Sequence, residues 1–211
     1  MALDTPVLLD APSDALGSSV VSATINIPDG AACLVFIFNR NTGVSNVCSD
    51  SSGLTWTQLF ASSDQRIRVF TSTGDSGSGS TVVTVTKTGP CICHIINIGN
   101  ASLTPVQTKE IVSVGGANKT LTFDSSITTG NAFVGYLGHT VVRTTTSDNN
   151  ELSNVTLASS ATSASEFDTT GSTLSWTHSG ATSAAFGLEI EEAGGPTFQA
   201  AWASNSNRII Q

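Results

Sequence analysis

The chain has 211 residues, only 11% of them charged, and a net charge of −8 from 16 acidic residues against 8 lysines and arginines. Cations so few and so scattered exclude a surface that tracks a phosphate backbone. No run reaches the roughly 18 consecutive apolar residues of a membrane-spanning helix. The length admits one large sandwich or two small domains, and abundant Ser, Thr, Gly and Asn beside recurring Val and Ile is a strand-forming composition.

The first segment, MALDTPVLLDAPSD, has no basic start and its apolar run is broken by Asp10 and Pro12, so it does not read as a secretory signal. Residues 1–18 are read as an N-terminal arm with Val7, Leu8 and Leu9 as anchors. Without a secretory context, Cys33, Cys48, Cys91 and Cys93 are expected as free, packed thiols. Segments rich in Val, Ile, Thr and Phe, bounded by Gly, Asn, Asp and Ser, then follow at 19–27, 32–39, 45–48, 55–60, 66–73, 81–87 and 91–98. LVFIF at 34–38 is apolar on both faces and is expected as a central strand covered on both sides. TVVTVT at 81–86 alternates as a half-buried strand does.

A second set of strands is predicted at 106–114, 119–123, 131–142, 155–158, 163–168, 173–177 and 184–191, repeating the grammar of the first. Residues 73–80 and 144–153 are polar loops. After Glu192, the run Gly194-Gly195-Pro196 turns the chain away. Residues 194–211 are therefore read as a C-terminal arm, with Phe198, Trp202, Ile209 and Ile210 as partner-binding anchors. The expected fold is all-β: a single antiparallel β-sandwich of jelly-roll or Ig-like type over 19–193, with arms at both ends.

Five patterns could carry chemistry, and none assembles a site. GDSG at 74–77 matches the string around a serine-protease nucleophile, but His94, His139 and His178 all follow it, whereas that order needs a preceding histidine. CICH at 91–94 has metal-ligand residue types, yet strand alternation puts Cys91 and Cys93 on one face and His94 on the other. DNNE at 148–151 offers oxygens without the glycine turn of a calcium loop. No motif pairs two carboxylates across a cleft. Trp56, Trp176 and Tyr136 could make a sugar-stacking platform, with core packing the preferred reading. The triplets at Asn100, Asn118 and Asn154 match the glycosylation pattern and are taken as chance matches in a Ser/Thr-rich chain. No catalytic residue, cofactor or metal is expected.

The order of pieces is more specific: CLVFIF, then the turn DSSGLTW at 50–56, then TVVTVT after a Gly-containing loop, then CICHIINIGN, and a closing strand FGLEIEE at 186–192. This resembles a broad family of β-sandwich domains in tailed-bacteriophage virion proteins and related bacterial surface proteins, over 32–193. One departure is NIGNAS at 97–102, where such domains carry an acidic residue before a glycine. The resemblance implies a non-enzymatic virion structural protein, assembled in the host cytoplasm, that decorates or cements a capsid. Its partners would be further copies of itself, with a trimer expected, and a major capsid or tail protein. The alternatives are a tail or baseplate protein, or a module binding host surface glycan.

Overall fold

A computed structural model gives the architecture, and its described residues are 2–75, 79–158 and 160–194. Their helix and strand content is entirely strand. The first half comprises Val7–Asp10 (β1), Ser13–Asp14 (β2), Ser19–Val21 (β3), Ala32–Asn39 (β4), Cys48–Asp50 (β5), Thr57–Ala61 (β6), Ile67–Thr73 (β7), Val83–Thr86 (β8) and Cys91–Ile98 (β9). The second comprises Gln107–Val114 (β10), Lys119–Thr122 (β11), Ala132–His139 (β12), Thr145–Ser147 (β13), Asn150–Leu157 (β14), Ala161–Asp168 (β15), Thr173–His178 (β16) and Ser183–Ile190 (β17).

These strands make four antiparallel sheets whose orders match in pairs: β1-β9-β4-β7-β6 against β10-β17-β12-β15-β14, and β3-β8-β5 against β11-β16-β13. The chain is therefore a structural duplication. Within each half the order is that of a jelly roll whose fifth strand has moved onto the larger sheet. Local details repeat too. The turn before β4 closes with Ala31 N–H on Pro28 O, and that before β12 with Asn131 N–H on Thr128 O. Gly30 and Gly130 occupy positive φ in these turns. Each edge strand, β6 and β14, carries a bulge at a leucine, Leu59 and Leu152, between Gln58 and Phe60 and between Glu151 and Ser153.

The expected free arm at the N-terminus is replaced, from Val7, by an edge strand. β1 pairs with β9 through Val7 opposite Asn97 and Leu8 opposite Ile96. β2 continues on β9 after an interruption at Ala11 and Pro12, so the two short strands together match the longer β10. Pro12 has no N–H to donate, but its carbonyl still accepts from Cys93 N–H at 2.9 Å. Leu8 packs on the cluster between the halves and Leu9 on the core of the first half, while Val7 is half exposed. Phe198, Trp202, Ile209 and Ile210 lie outside the described residues.

Where one sandwich was expected, there are four stacked layers. Val20, Ile27, Val35, Ile37, Val83 and Val85 fill the first half between its two sheets. Leu121, Phe133, Leu137, Leu174 and Trp176 fill the second. A third cluster joins the large sheets face to face, with Leu34, Phe36, Phe38 and Ile96 meeting Tyr136, Phe186 and Leu188. This explains LVFIF: every residue of β4 is buried because its sheet has a partner on each side. Alternation shows how many faces of a strand are apolar, and not which sheet will cover them.

The stacking is asymmetric at one point. Phe38 of β4 lies over Gly138, its own counterpart on β12, where a Cβ would stand 2.1 Å from Phe38 Cδ2. One ring fits in this layer and two would not.

Candidate functional site

The segment leading into each half crosses onto the other. Leu3 and Leu103 both pack on the cluster between the halves, and each lines a cleft at the seam. The larger cleft, about 310 Å³, lies among Leu54, Thr55, Thr57, Thr71, Thr73 and Leu103. The smaller, about 190 Å³, lies among Leu3, Thr5, Pro6, Gly130, Asn131 and Thr169. Thr73 and Thr169 stand at matching positions of the two halves. The larger cleft is hydroxyl-rich, and Thr71 Oγ1 is buried without a partner.

One wall of this cleft is the DSSGLTW turn, and the structure shows what that spacing is for. Asp50 Oδ1 accepts from the N–H groups of Ser52 and Gly53 at 2.7 and 2.8 Å and from Thr81 Oγ1 at 3.2 Å. Its Oδ2 accepts the Trp56 indole N–H at 2.6 Å. Gly53 takes φ +87°, a region that favours glycine. Burial works to raise the Asp50 pKa, but the hydrogen bonds from Ser52 and Trp56 outweigh it and hold the carboxyl below its usual range. Asp50→Ala leaves these donors unanswered. We expect a loss of about 2–4 kcal/mol in denaturant unfolding, with a red shift of Trp56 fluorescence as its indole is freed. An unchanged spectrum would mean the turn is held by other contacts.

The remaining candidates point inward. Cys91 and Cys93 share a face, Sγ to Sγ 3.9 Å, inside the first half. All four cysteines are free and buried, and burial pushes Cys48 up to about 12 and Cys33 higher still. Cys33 and Cys48 are thus packed thiols, without thiolate reactivity at neutral pH. His94 points the other way, into the layer between the halves, with Nδ1 2.7 Å from Ser165 Oγ and Nε2 2.9 Å from Ser163 Oγ. Desolvation lowers its pKa to about 3, so it is a neutral ring bridging two hydroxyls. The matching position in the second half is Phe186, stacked on Phe60 at 3.7 Å. The seam thus has one polar and one aromatic pillar.

Trp176 and Tyr136 are fully buried, and Tyr136 donates to Ile92 O at 3.0 Å. No sugar-stacking platform forms from them, and Trp56 alone of the three keeps partial exposure. In DNNE, Asp148 accepts from the hydroxyls of Ser175 and Thr177, and Asn149 donates to Asp168. Among the described residues no three or more His, Cys, Asp or Glu side chains are placed to hold a metal ion. Gly74 of GDSG abuts Pro28, whose carbonyl oxygen is 2.1 Å from where a Cβ would sit. Ser76 and Gly77 lie outside the described residues.

Glu166 was not anticipated. It is fully buried inside the second half, at the position of the core residue Phe70 in the first. Its Oε1 has no partner, and the indole N–H of Trp176 in the same interior has none either. Desolvation raises its pKa to about 8. The sequence ATSASEFD hides this, since a single acid among serines reads as a solvated strand face.

Comparison with family models, with curated proteins and with solved structures gave no match.

Proposed function

We propose that the chain is a non-enzymatic structural component of a larger assembly, of the kind that decorates or cements a phage capsid. The observation that carries this reading is the crossing of the two lead-in segments. An extended stretch with one apolar anchor, Leu3 or Leu103, leaves its own half and grips the other. The same device, an extended stretch that drops an apolar side chain into a pocket, would let residues 194–211 grip a neighbour through Phe198, Trp202, Ile209 and Ile210. The stacked build supports it as well: ionisable and nucleophilic groups such as His94, Glu166 and the cysteines are spent inside the layers. Jelly rolls serve in viral capsids and also in lectins, so the fold by itself leaves both uses open.

The test is light scattering after size-exclusion chromatography on the full chain and on a chain ending at Ala193. We expect an oligomer, a trimer in the simplest case, that falls to monomer on truncation. If both chains are monomers and neither binds capsid or tail proteins, the reading is wrong. A second reading, glycan binding on a virion, rests on the threonine-lined seam cleft. It predicts saturable binding of neutral oligosaccharides that Thr71→Arg abolishes.

A further inference from the structure

The two halves differ at one corner of the layer between them. Thr71 and Phe167 stand at matching positions, since Thr71 pairs with Leu34 on β4 and Phe167 with Val134 on β12. Leu34 and Val134 both belong to the cluster between the halves, so Thr71 and Phe167 face that layer too. In the second half the ring of Phe167 packs on the layer, and the cleft at Thr169, two residues along, is the smaller one at about 190 Å³. In the first half a threonine stands where that ring would be, and the corner is the cleft of about 310 Å³. Thr71 is only 4% exposed, yet its Oγ1 has no hydrogen-bond partner. A ring-sized gap with a bare hydroxyl and two leucines, Leu54 and Leu103, in its wall calls for a flat apolar group with one polar edge.

The chain carries such a group beyond the described residues. Of its three tryptophans, Trp56 gives its N–H to Asp50 and Trp176 is buried in the core of the second half. Trp202 remains. An indole N–H is a donor only, and a threonine hydroxyl accepts. The described chain ends close to the cleft: Ala193 N–H bonds Asn100 O, and Leu103, three residues from Asn100, stands in the cleft wall. Gly194 takes φ +75° and is followed by Gly195-Pro196, a turn signal at the exit from the second half. Trp202 lies nine residues beyond Ala193, and nine residues of extended chain reach about 30 Å, enough to cross to an adjoining copy. Arg208 is the one ionisable side chain of residues 195–211. The ionisable residue lining the cleft is Asp75, of opposite sign.

We propose that residues 195–211 dock on a second copy of this chain, with the Trp202 ring seated in its larger seam cleft and the indole N–H donated to Thr71 Oγ1. This rests on the assembly reading and supplies the contact that reading needs. Each copy offers a tail and a cleft at different places on its surface. The contact is therefore head to tail, of the kind that closes small rings such as the expected trimer. The matching corner of the second half, with Phe167 in place, offers the tail no seat.

Light scattering on full-length chains, with disulfide trapping between two differently marked chains, tests the site. Trp202→Ala, and Thr71→Phe, which installs the second half's ring, should each turn the oligomer into a monomer. Thr71→Val and Trp202→Phe remove the hydroxyl and the N–H while keeping the shape. Each should weaken association by about 3–10-fold, and the two together by no more than either alone. Should Thr71→Phe not fold, this cycle carries the test. For trapping, one chain carries Ala203→Cys and the other Thr57→Cys, an exposed position in the cleft wall. A disulfide should form between them and vanish when Thr71→Phe is added to the second chain. If truncation at Ala193 yields a monomer but neither Trp202→Ala nor Thr71→Phe does, the site is wrong and the assembly reading stands. A full chain that is monomeric and untrapped overturns both. Trapping only when both cysteines share one chain would mean that the tail closes its own cleft, and overturns the proposal. So does saturable binding of a neutral oligosaccharide in the cleft that leaves the oligomer intact.

Discussion

Glu166→Gln should make the protein more stable at pH 8 and above, and should flatten its pH dependence on the alkaline side. Burial raises the Glu166 pKa to about 8, against about 4.5 in an unfolded chain. A raised pKa means the folded state prefers the protonated form. The stability linked to that proton is therefore complete below pH 4.5 and is lost as the pH climbs through 8. At 1.36 kcal/mol per pH unit the loss reaches roughly 3–5 kcal/mol, a large share of the 5–15 kcal/mol that holds an ordinary domain. Glutamine keeps an acceptor for the Asn149 N–H, which now meets Oε2 at 3.4 Å, and cannot ionise. Urea unfolding at pH 5, 7 and 9 gives the answer. His94 and His139 titrate in both proteins and cancel in the difference, so the stability of wild type relative to the variant should fall steeply across the series. Parallel curves would mean that the carboxyl reaches water and titrates normally.

The second large effect is steric. Gly138→Ala places a Cβ 2.1 and 2.2 Å from Cδ2 and Cγ of Phe38, at the middle of the layer that joins the halves. Phe38 cannot swing aside, being fully buried among Phe36, Ile92 and Tyr136. Overpacking of this kind costs about 3 kcal/mol or more, and at 2–4 °C per kcal/mol for a chain of this size the melting temperature should fall by about 6–12 °C. Pairing the change with Phe38→Leu should recover part of the loss, because the two sites share one space. Full additivity of the two substitutions would show that the halves part slightly and that the contact is softer than it looks.

Much of this fold was legible in particular residues. Leu34–Phe38 announced a strand covered on both sides, and CICH separated His94 from Cys91 and Cys93 correctly, because a period of two is enforced by the pleat. DSSGLTW was legible as a turn, and Asp50 supplies its mechanism. The stacking of two sandwiches was not legible, although Ile27, Gly30 and Ala32 recur as Ile127, Gly130 and Ala132 at the same spacing. A duplicated jelly roll needs its apolar pattern and its turns preserved, and very little identity. β1 read as an arm because four residues next to a proline are too short to show a period. Glu166 was missed for the opposite reason: in a sheet with both faces buried, alternation no longer tells a solvated acid from one facing a core. The clefts at the seam depend on where Leu3 and Leu103 land, which is set by contacts nearly a hundred residues apart.

Asn100 lies where three stretches of chain meet. Its Nδ2 reaches Ala2 O and Asp4 Oδ1, and its carbonyl accepts Ala193 N–H at 2.6 Å. The first half's opening residues and the second half's closing ones thus lie side by side, across from the segment that links the halves. Topologically the described molecule is a ring cut once, with two equivalent places for the cut. A chain joined at 194 and 2 and opened near 102 would traverse the same layers in the other order, so the sequence of the halves along the polypeptide carries no structural information.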